Sequence, residues 1–470
     1  MIPLRLAEIA EITRGTLTDP TAADTVVDGS VVVDSRRAGT GSLFVAVSGE
    51  RADGHDFAPA AQAAGAVAAL SARPLGVPAV VVDDVVAALG RLARGVVDRL
   101  PAATVVGVTG SSGKTSTKDL LGQLLGWMGP TIAPEGSYNN EIGLPLTVLR
   151  ATETTHYLAL ELSARGLGHI SHLCGAAPPT VGVVLNVGTA HVGEFGDQAA
   201  IARAKGELVE ALPPEGIAVL NADDPRVAAM AKRTRARVAT FGHGEDAVVR
   251  ASDVTLDAQG RAQFTLVTPE GRAPVDLRLH GGHQVTNALA AGAAARACGM
   301  DVSDIARALG EAGRASKWRM EVTELPNGIT VINDAYNANP ESTDAALETL
   351  GTIGAGRRTW AVLGEMAELG ETSSDAHDRI GRQAARLGVS LVVVVGEAAA
   401  PIAAGTSTES AWEGEALRMP DARAAVALLV ERARPGDVVL VKGSLVTGLG
   451  PVADELATSV LPGVNGGVPA

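Results

Sequence analysis

Val105-Val106-Gly107-Val108-Thr109-Gly110-Ser111-Ser112-Gly113-Lys114-Thr115 is an apolar run that breaks into a small-residue loop ending in lysine and threonine. A helical pattern follows, with Leu120, Leu121, Leu124 and Leu125 along one side. Strand, loop and helix are the context a phosphate-binding loop requires. Glycines let backbone approach an anion, amides at the helix start point at phosphate, and a lysine neutralises it. The Thr115 hydroxyl is the natural contact for Mg²⁺. The strict G-x4-GK[ST] spacing is not met, because Val108 holds the first glycine position. The plain alternative is a glycine-rich turn with a chance Gly-Lys-Thr, and the flanking elements argue against it.

On either side of this loop the chain is too long for one core. At ~150 residues per domain, 470 residues suggest about three domains. Apolar residues at 46% exclude disorder over most of the length. The net charge of −14 gives no general grip on nucleic acid or anionic membrane. No apolar run is long enough to span a bilayer. The start, residues 1–17, lacks a basic segment followed by an apolar stretch, so no secretory signal is expected. Two cysteines, Cys174 and Cys298, cannot build a disulfide framework and suit a reducing cytosol.

Residues 1–100 hold short β-rich runs such as Leu43–Val47 and Ala79–Val82, with helical patterns at Phe57–Ala64 and Val85–Leu100. From 104, the apolar runs Thr104–Val108, Tyr157–Leu160, Val181–Leu185 and Ile217–Leu220 alternate with helical stretches, which reads as βαβ units on a mostly parallel sheet. Residues 247–280 alternate polar and apolar side chains and suggest an antiparallel insertion, closed by a helix at 284–298. A third block, with strands at Ile329–Ile332, Thr359–Leu363, Leu391–Val395 and Val438–Val441, is another α/β unit. The tail Pro462–Ala470 is expected to fray. The fold class is α/β in three domains: 1–100, 101–315 and 316–470.

Other residues carry chemistry. Glu161 ends an apolar strand, where α/β sheets bind ligands, and could hold a metal on a nucleotide. Its plain alternative is a solvated strand end. His191 follows another strand, and Lys205 sits in a helical pattern fourteen residues on. Taken alone, both read as structural or surface residues. His169-Ile170-Ser171-His172-Leu173-Cys174 looks like half a zinc site, but no second ligand pair follows.

The order of motifs resembles the Mur ligase family. Thr109–Thr115 follows its TGxxGKT, Asn139-Asn140-Glu141-Ile142-Gly143 its NNEIG, and Asn186-Val187-Gly188-Thr189-Ala190-His191 its N-x-G-x-A-H. Asp334-Ala335-Tyr336-Asn337-Ala338-Asn339-Pro340-Glu341-Ser342, Gly364–Gly370 and Val441-Lys442-Gly443-Ser444 are similar to the member that adds D-alanyl-D-alanine. The resemblance runs from about 30 to 456.

The resemblance implies a small α/β domain for the UDP end of the substrate, a central P-loop parallel-sheet ATPase domain, and a C-terminal Rossmann-like domain. The implied reaction is ATP-dependent ligation of D-alanyl-D-alanine to UDP-N-acetylmuramoyl-tripeptide through an acyl phosphate, in the cytoplasmic synthesis of peptidoglycan precursors. Gly110, Ser111, Ser112, Gly113, Lys114 and Thr115 would hold ATP phosphates. Thr115, Glu161 and His191 would ligate Mg²⁺, with two ions expected, and Lys205 would be carbamylated by CO₂. Asn287 would contact adenine, Arg319 the γ-phosphate, and Asp334 the ribose or base. Asn140 would lie near the reacting groups, while Ser35, Arg36, Asn337 and Asn339 would contact substrate. Only six of 39 basic residues are lysines, and a carbamate requires a primary amine, which suits Lys205. A monomer is expected, with no nucleic-acid partner and no membrane insertion. The alternatives are the diamino-acid-adding relative, whose DNPR string is missing from the third block, and a non-catalytic ATP-binding subunit.

Overall fold

Short β-branched runs without polar alternation must be covered on both faces, and here they form the middle strands of sheets. The computed structural model describes residues 1–49, 52–189 and 192–459. Five strands form the first main sheet, in the order Thr16–Leu17, Ala79–Val81, Ala66–Ser71, Ser42–Val45, Val31–Val32. Helix Val85–Asp98 follows, with Asp84 as its N-cap accepting from the Ala87 N–H.

The central sheet has nine strands. Thr104–Thr109 lies between Tyr157–Glu161 and Val181–Val184, and neighbours stay parallel from Thr131–Ile132 as far as Val249–Leu256. Arg261–Thr268 and Gly271–His280 then add antiparallel to the same sheet. Residues 247–280 are therefore antiparallel as their alternation suggests, and they extend the edge of a mostly parallel central sheet. The alternating burial along Arg261–Thr268 explains this, since an edge hairpin can leave one face to water.

Helices Lys114–Met128 and His283–Ala297 cover one face of this sheet through Leu120, Leu124, Val285 and Leu289. Helices Gly143–Val148, His169–Ala176 and Gln198–Glu210 cover the other. Helix Val85–Asp98 packs Leu89, Leu92 and Val96 into that second core, so the first and central segments share an apolar cluster.

The third sheet runs Glu321–Glu324, Thr330–Asn333, Val438–Lys442, Thr359–Leu363, Leu391–Val395, Glu415–Met419, parallel except for the first strand. Helices Pro340–Ile353 and Ser373–Arg386 lie on one face, and Ala422–Arg432 and Gly450–Ser459 on the other. The tail Pro462–Ala470 lies outside the described residues.

Candidate active site

Parallel strands end together, and their carboxyl ends gather the loops that bind ligands. After Thr109 the chain turns through the phosphate loop and enters the helix at Lys114. Gly113 has φ +79°, and a Cβ there would lie 2.4 Å from Asn287 Oδ1. Both facts demand glycine. The loop is held from the next strand end. Asn186 Oδ1 accepts from the Ser111 and Ser112 N–H groups at 2.9 and 3.0 Å, and Ser111 Oγ accepts from the Gly188 N–H at 2.9 Å.

Lys114 donates its ammonium to the Gly110 carbonyl at 2.7 Å. Burial lowers its pKa, while the Glu161 charge opposes that shift. Glu161 is 2% exposed, so it is no solvated strand end. Its Oε2 accepts from the Thr115 hydroxyl at 2.9 Å and its Oε1 from Asn139 Nδ2 at 2.7 Å.

Arg319 reaches this cluster from the start of the third block. Its Nη2 donates to Thr115 Oγ1 at 3.1 Å and Ser137 Oγ at 3.3 Å, and the guanidinium lies 4.2 Å from the centre of the Tyr336 ring. Trp318 and Met320, on either side, have φ of +56° and +48°. Non-glycine residues hold such angles only when their surroundings impose them. The Met320 N–H donates to Asp334 Oδ1 at 3.0 Å and the Tyr336 N–H to the Trp318 carbonyl at 3.3 Å. Asp334 Oδ2 in turn accepts from the buried Lys442 ammonium at 2.5 Å. Burial lowers the Lys442 pKa, with the Asp334 charge opposing it.

Ser111, Ser112, Gly113, Lys114, Thr115, Asn140, Glu161, Asn287, Arg319, Asp334, Asn337 and Asn339 line one cavity of about 480 Å³ between the central sheet and the third block. Asn287 is fixed from both sides, donating to Gln284 Oε1 at 2.9 Å and accepting from the Thr117 hydroxyl at 3.3 Å. Asn140 Oδ1 accepts from the Gly143 N–H at 2.8 Å in the turn before helix Gly143–Val148, and Asn339 caps helix Pro340–Ile353, its Oδ1 accepting from the Ser342 N–H at 2.8 Å.

Three predicted residues stand elsewhere. Ser35 and Arg36 are in the first domain, away from the cavity lining. Arg36 is 87% exposed and pairs with Asp34, whose carboxyl is held down to about 2, first by the Arg36 side-chain hydrogen bond. Lys205 is 3% exposed on helix Gln198–Glu210 and does not line the cavity. Burial drives its pKa well down, and the Lys114 charge pushes the same way. His191 lies outside the described residues.

The zinc-like string is otherwise engaged. His169 pairs with Glu141 and accepts from the Arg165 N–H at 3.2 Å. Cys174 and Cys298 are free, and burial pushes both thiols up to about 12.

Sequence reasoning gave no role to Ser137, Asn139, Asn186, His283, Tyr336, Glu341 and Lys442, although five of them stand in its motifs; all line the cavity or hold its loops. Lys442 offered a signal, as a rare lysine ending an apolar strand. Ser137 offered none, because its role exists only once the loops meet.

The donor set fits a polyphosphate: loop amides at a helix start, the cations Lys114 and Arg319, and the Thr115 and Glu161 oxygens side by side. Among the described residues no group of three His, Cys, Asp or Glu side chains could hold a metal alone.

The family description "Mur ligase middle domain" matches residues 108–295, "Mur ligase, glutamate ligase domain" matches 318–445, and "Mur ligase family, catalytic domain" matches 29–96. The chain is 50% identical to the UDP-N-acetylmuramoyl-tripeptide–D-alanyl-D-alanine ligase of Mycobacterium tuberculosis, over 97% of this chain and 98% of that one. A crystal structure of MurF from Acinetobacter baumannii superposes with TM-score 0.87 at 31% identity, over 97% of this chain and 99% of the other. MurF from Thermotoga maritima, solved in complex with ADP, gives TM-score 0.80 at 31% identity, over 92% and 98%. The chain belongs to the Mur ligase family.

Proposed function

We propose that the protein joins D-alanyl-D-alanine to UDP-N-acetylmuramoyl-tripeptide in the cytoplasm, with cleavage of ATP to ADP and phosphate. The observation that carries this reading is the hydrogen bond from Arg319 to Thr115, by which the third domain completes the phosphate site of the second. Near-complete coverage of a relative with that named activity, and of a solved relative with ADP bound, supports it.

A carboxylate is a poor electrophile, because its leaving group would be oxide. Transfer of the γ-phosphoryl group to the tripeptide carboxylate makes a mixed anhydride. The dipeptide ammonium first gives up a proton to solvent; the neutral amine then attacks the carbonyl carbon, phosphate leaves with the bonding electrons, and the second nitrogen proton passes to phosphate or water. Lys114 and Arg319 offset the charge that gathers between carboxylate and γ-phosphate. Asp334 positions Arg319 through the Met320 N–H, and the remaining lone pairs of its two engaged oxygens are offered to the ribose or base. Asn287 faces the adenine end, while Asn140, Asn337 and Asn339 line the acceptor side. Packing of the third domain over the loop keeps water from a hydrolysable intermediate.

Thr115 and Glu161, with His191, are the candidate holders of Mg²⁺, which when bound screens phosphate charge and polarises the reacting oxygens. Two ions are expected, with Lys205 as a carbamate beside them. Ser35 and Arg36 are offered to the uridine-diphosphate end. No described helix is long and apolar enough to cross a membrane.

Phosphate release tests the reading, with UDP-N-acetylmuramoyl-tripeptide and D-alanyl-D-alanine set against UDP-N-acetylmuramoyl-dipeptide and diamino acids. Release with the first pair alone is expected. Turnover of a diamino acid with no use of the dipeptide would assign the preceding step instead.

A further inference from the structure

Three carboxylates line the cavity: Glu161, Asp334 and Glu341. Both oxygens of Glu161 are engaged, by Thr115 and Asn139, and both of Asp334, by the Met320 N–H and Lys442. Glu341 differs. Its Oε1 accepts from the Thr189 N–H at 2.7 Å and the Thr189 hydroxyl at 2.9 Å, while its Oε2 is buried with no hydrogen-bond partner among the described residues. The carboxylate presses on the loop behind the phosphate site, since a Cβ on Gly188 would lie 3.2 Å from Oε2.

The surroundings add negative charge. Asp344, one turn along the same helix, also has a buried oxygen with no partner, and its other oxygen accepts from Arg379 at 2.8 Å. Burial pushes the Asp344 carboxyl up, Arg379 opposes that shift, and the Glu341 charge adds to it. Of the cavity's cations, Lys114 is held by the Gly110 carbonyl, Lys442 by Asp334, and Arg319 by Thr115 and Ser137, while Arg165 stands exposed at the cavity wall; none of them pairs with Glu341 Oε2. A buried anionic oxygen without a partner is unfavourable until a cation or donor reaches it.

Resting on the ligase reading above, we infer that Glu341 Oε2 binds the ammonium of the incoming dipeptide and so helps determine acceptor specificity. ATP and the tripeptide carboxylate present anions to this cavity, whereas the acceptor must enter amine first. Glu341 opens helix Pro340–Ile353 of the third domain and touches the loop that braces the phosphate site. An ammonium held there stands at the junction of the two domains that the reaction must bring together. Thr189 fixes the carboxylate through its other oxygen, leaving Oε2 free for the substrate.

The test is Glu341→Gln in the full chain. Glutamine keeps the size and can still accept from Thr189, but loses the charge. ADP binding by calorimetry reports the fold and the phosphate site. The KM for D-alanyl-D-alanine is expected to rise at least tenfold, with the KM values for ATP and UDP-tripeptide within about twofold of wild type and Mg²⁺ dependence unchanged. Glu341→Asp should recover part of the loss. An unchanged dipeptide KM overturns the inference. So does a rise confined to the UDP-tripeptide, which would assign the oxygen to an ammonium on that substrate. A parallel loss of ATP or Mg²⁺ affinity would overturn it too, making Glu341 a fastening between domains. If the wild-type chain ignores D-alanyl-D-alanine, the ligase reading itself fails. The Glu341 assignment is then judged by the same KM criterion on the amine the chain does accept.

Discussion

Arg319 and Thr115 are 204 positions apart in the chain and share a hydrogen bond of 3.1 Å. One residue belongs to the link into the third domain and the other to the phosphate loop, so the bond couples the domains at the point where charge must be neutralised. The guanidinium is held by the Tyr336 ring, and its backbone by Asp334 through the next residue.

Arg319→Lys should therefore not be conservative. A lysine keeps the charge but cannot reach Thr115 and Ser137 as a planar fork stacked on Tyr336. Loss of one preorganised donor at a site of developing charge lowers kcat by about 100-fold. ADP binding and thermal unfolding should change little. Tyr336→Phe keeps the ring and should stay near wild type. Tyr336→Leu removes a cation–π contact of about 1 kcal/mol and should lose activity several-fold. Equal activity in Arg319→Lys and wild type would remove Arg319 from the charge-neutralising set.

Lys114→Ala should abolish turnover and leave the fold intact. Its ammonium is buried at a helix start, held by a loop carbonyl, with Glu161 opposing the pKa drop that burial causes. Circular dichroism would report the fold and phosphate release the chemistry. A folded variant with near-wild-type release would refute the assignment.

The phosphate loop was legible because everything that defines it is local: a β-branched strand, small residues and an amphipathic helix within about 25 positions. The same holds for Thr359–Leu363 and Leu391–Val395, whose continuous apolar runs suit strands buried on both faces. Thr131–Ile132 was not legible, since two residues carry no periodicity. Glu415–Met419 was hidden by its half-exposed edge position. Residues 247–280 had the right pattern, but alternation reports a half-buried strand and not which sheet it joins. At the site, Glu161 could be placed at a strand end, yet its burial depends on Thr115 and Asn139 folding over it. Ser137 and Glu341 acquire meaning only through contacts made across loops and domains.

His377 supports a pH prediction for the third domain. It is buried, accepts from the Met366 N–H at Nε2 at 2.9 Å, and has Nδ1 2.7 Å from the Ser373 carbonyl. That pair of contacts fits the neutral ring with its proton on Nδ1. Burial lowers its folded pKa below the ordinary value of about 6.5. The unfolded chain therefore binds the proton more readily, and stability rises with pH wherever it does so. The His377 contribution should be complete above pH ~6.5 and shrink as pH falls below that value. Denaturant midpoints between pH 8 and pH 5 should drop for wild type. His377→Gln should be less stable at pH 8 and show a shallower drop. An identical slope in both proteins would place the pH sensitivity elsewhere.

Lys205 carries the last prediction. Its side chain is buried on helix Gln198–Glu210 among Ile201, Ala204 and Leu208, and burial drives its pKa well down, helped by Lys114. Desolvation thus favours the neutral amine, the form whose nitrogen lone pair attacks CO₂. That addition to the neutral amine forms an N–C bond and releases one proton, leaving an anion that would orient a second metal with Glu161 and His191. Lys205→Ala should be nearly inactive, and acetate, a carboxylate small enough for the vacated space, should restore part of the rate. Lys205→Arg should be inactive and deaf to acetate, because the guanidinium keeps the charge and fills the space. If Lys205 were merely a packed helix residue, acetate would change neither variant and both would keep most of their activity. Rates of the two variants with and without acetate separate these outcomes, and an active, acetate-indifferent Lys205→Ala enzyme would remove carbamylation from the mechanism.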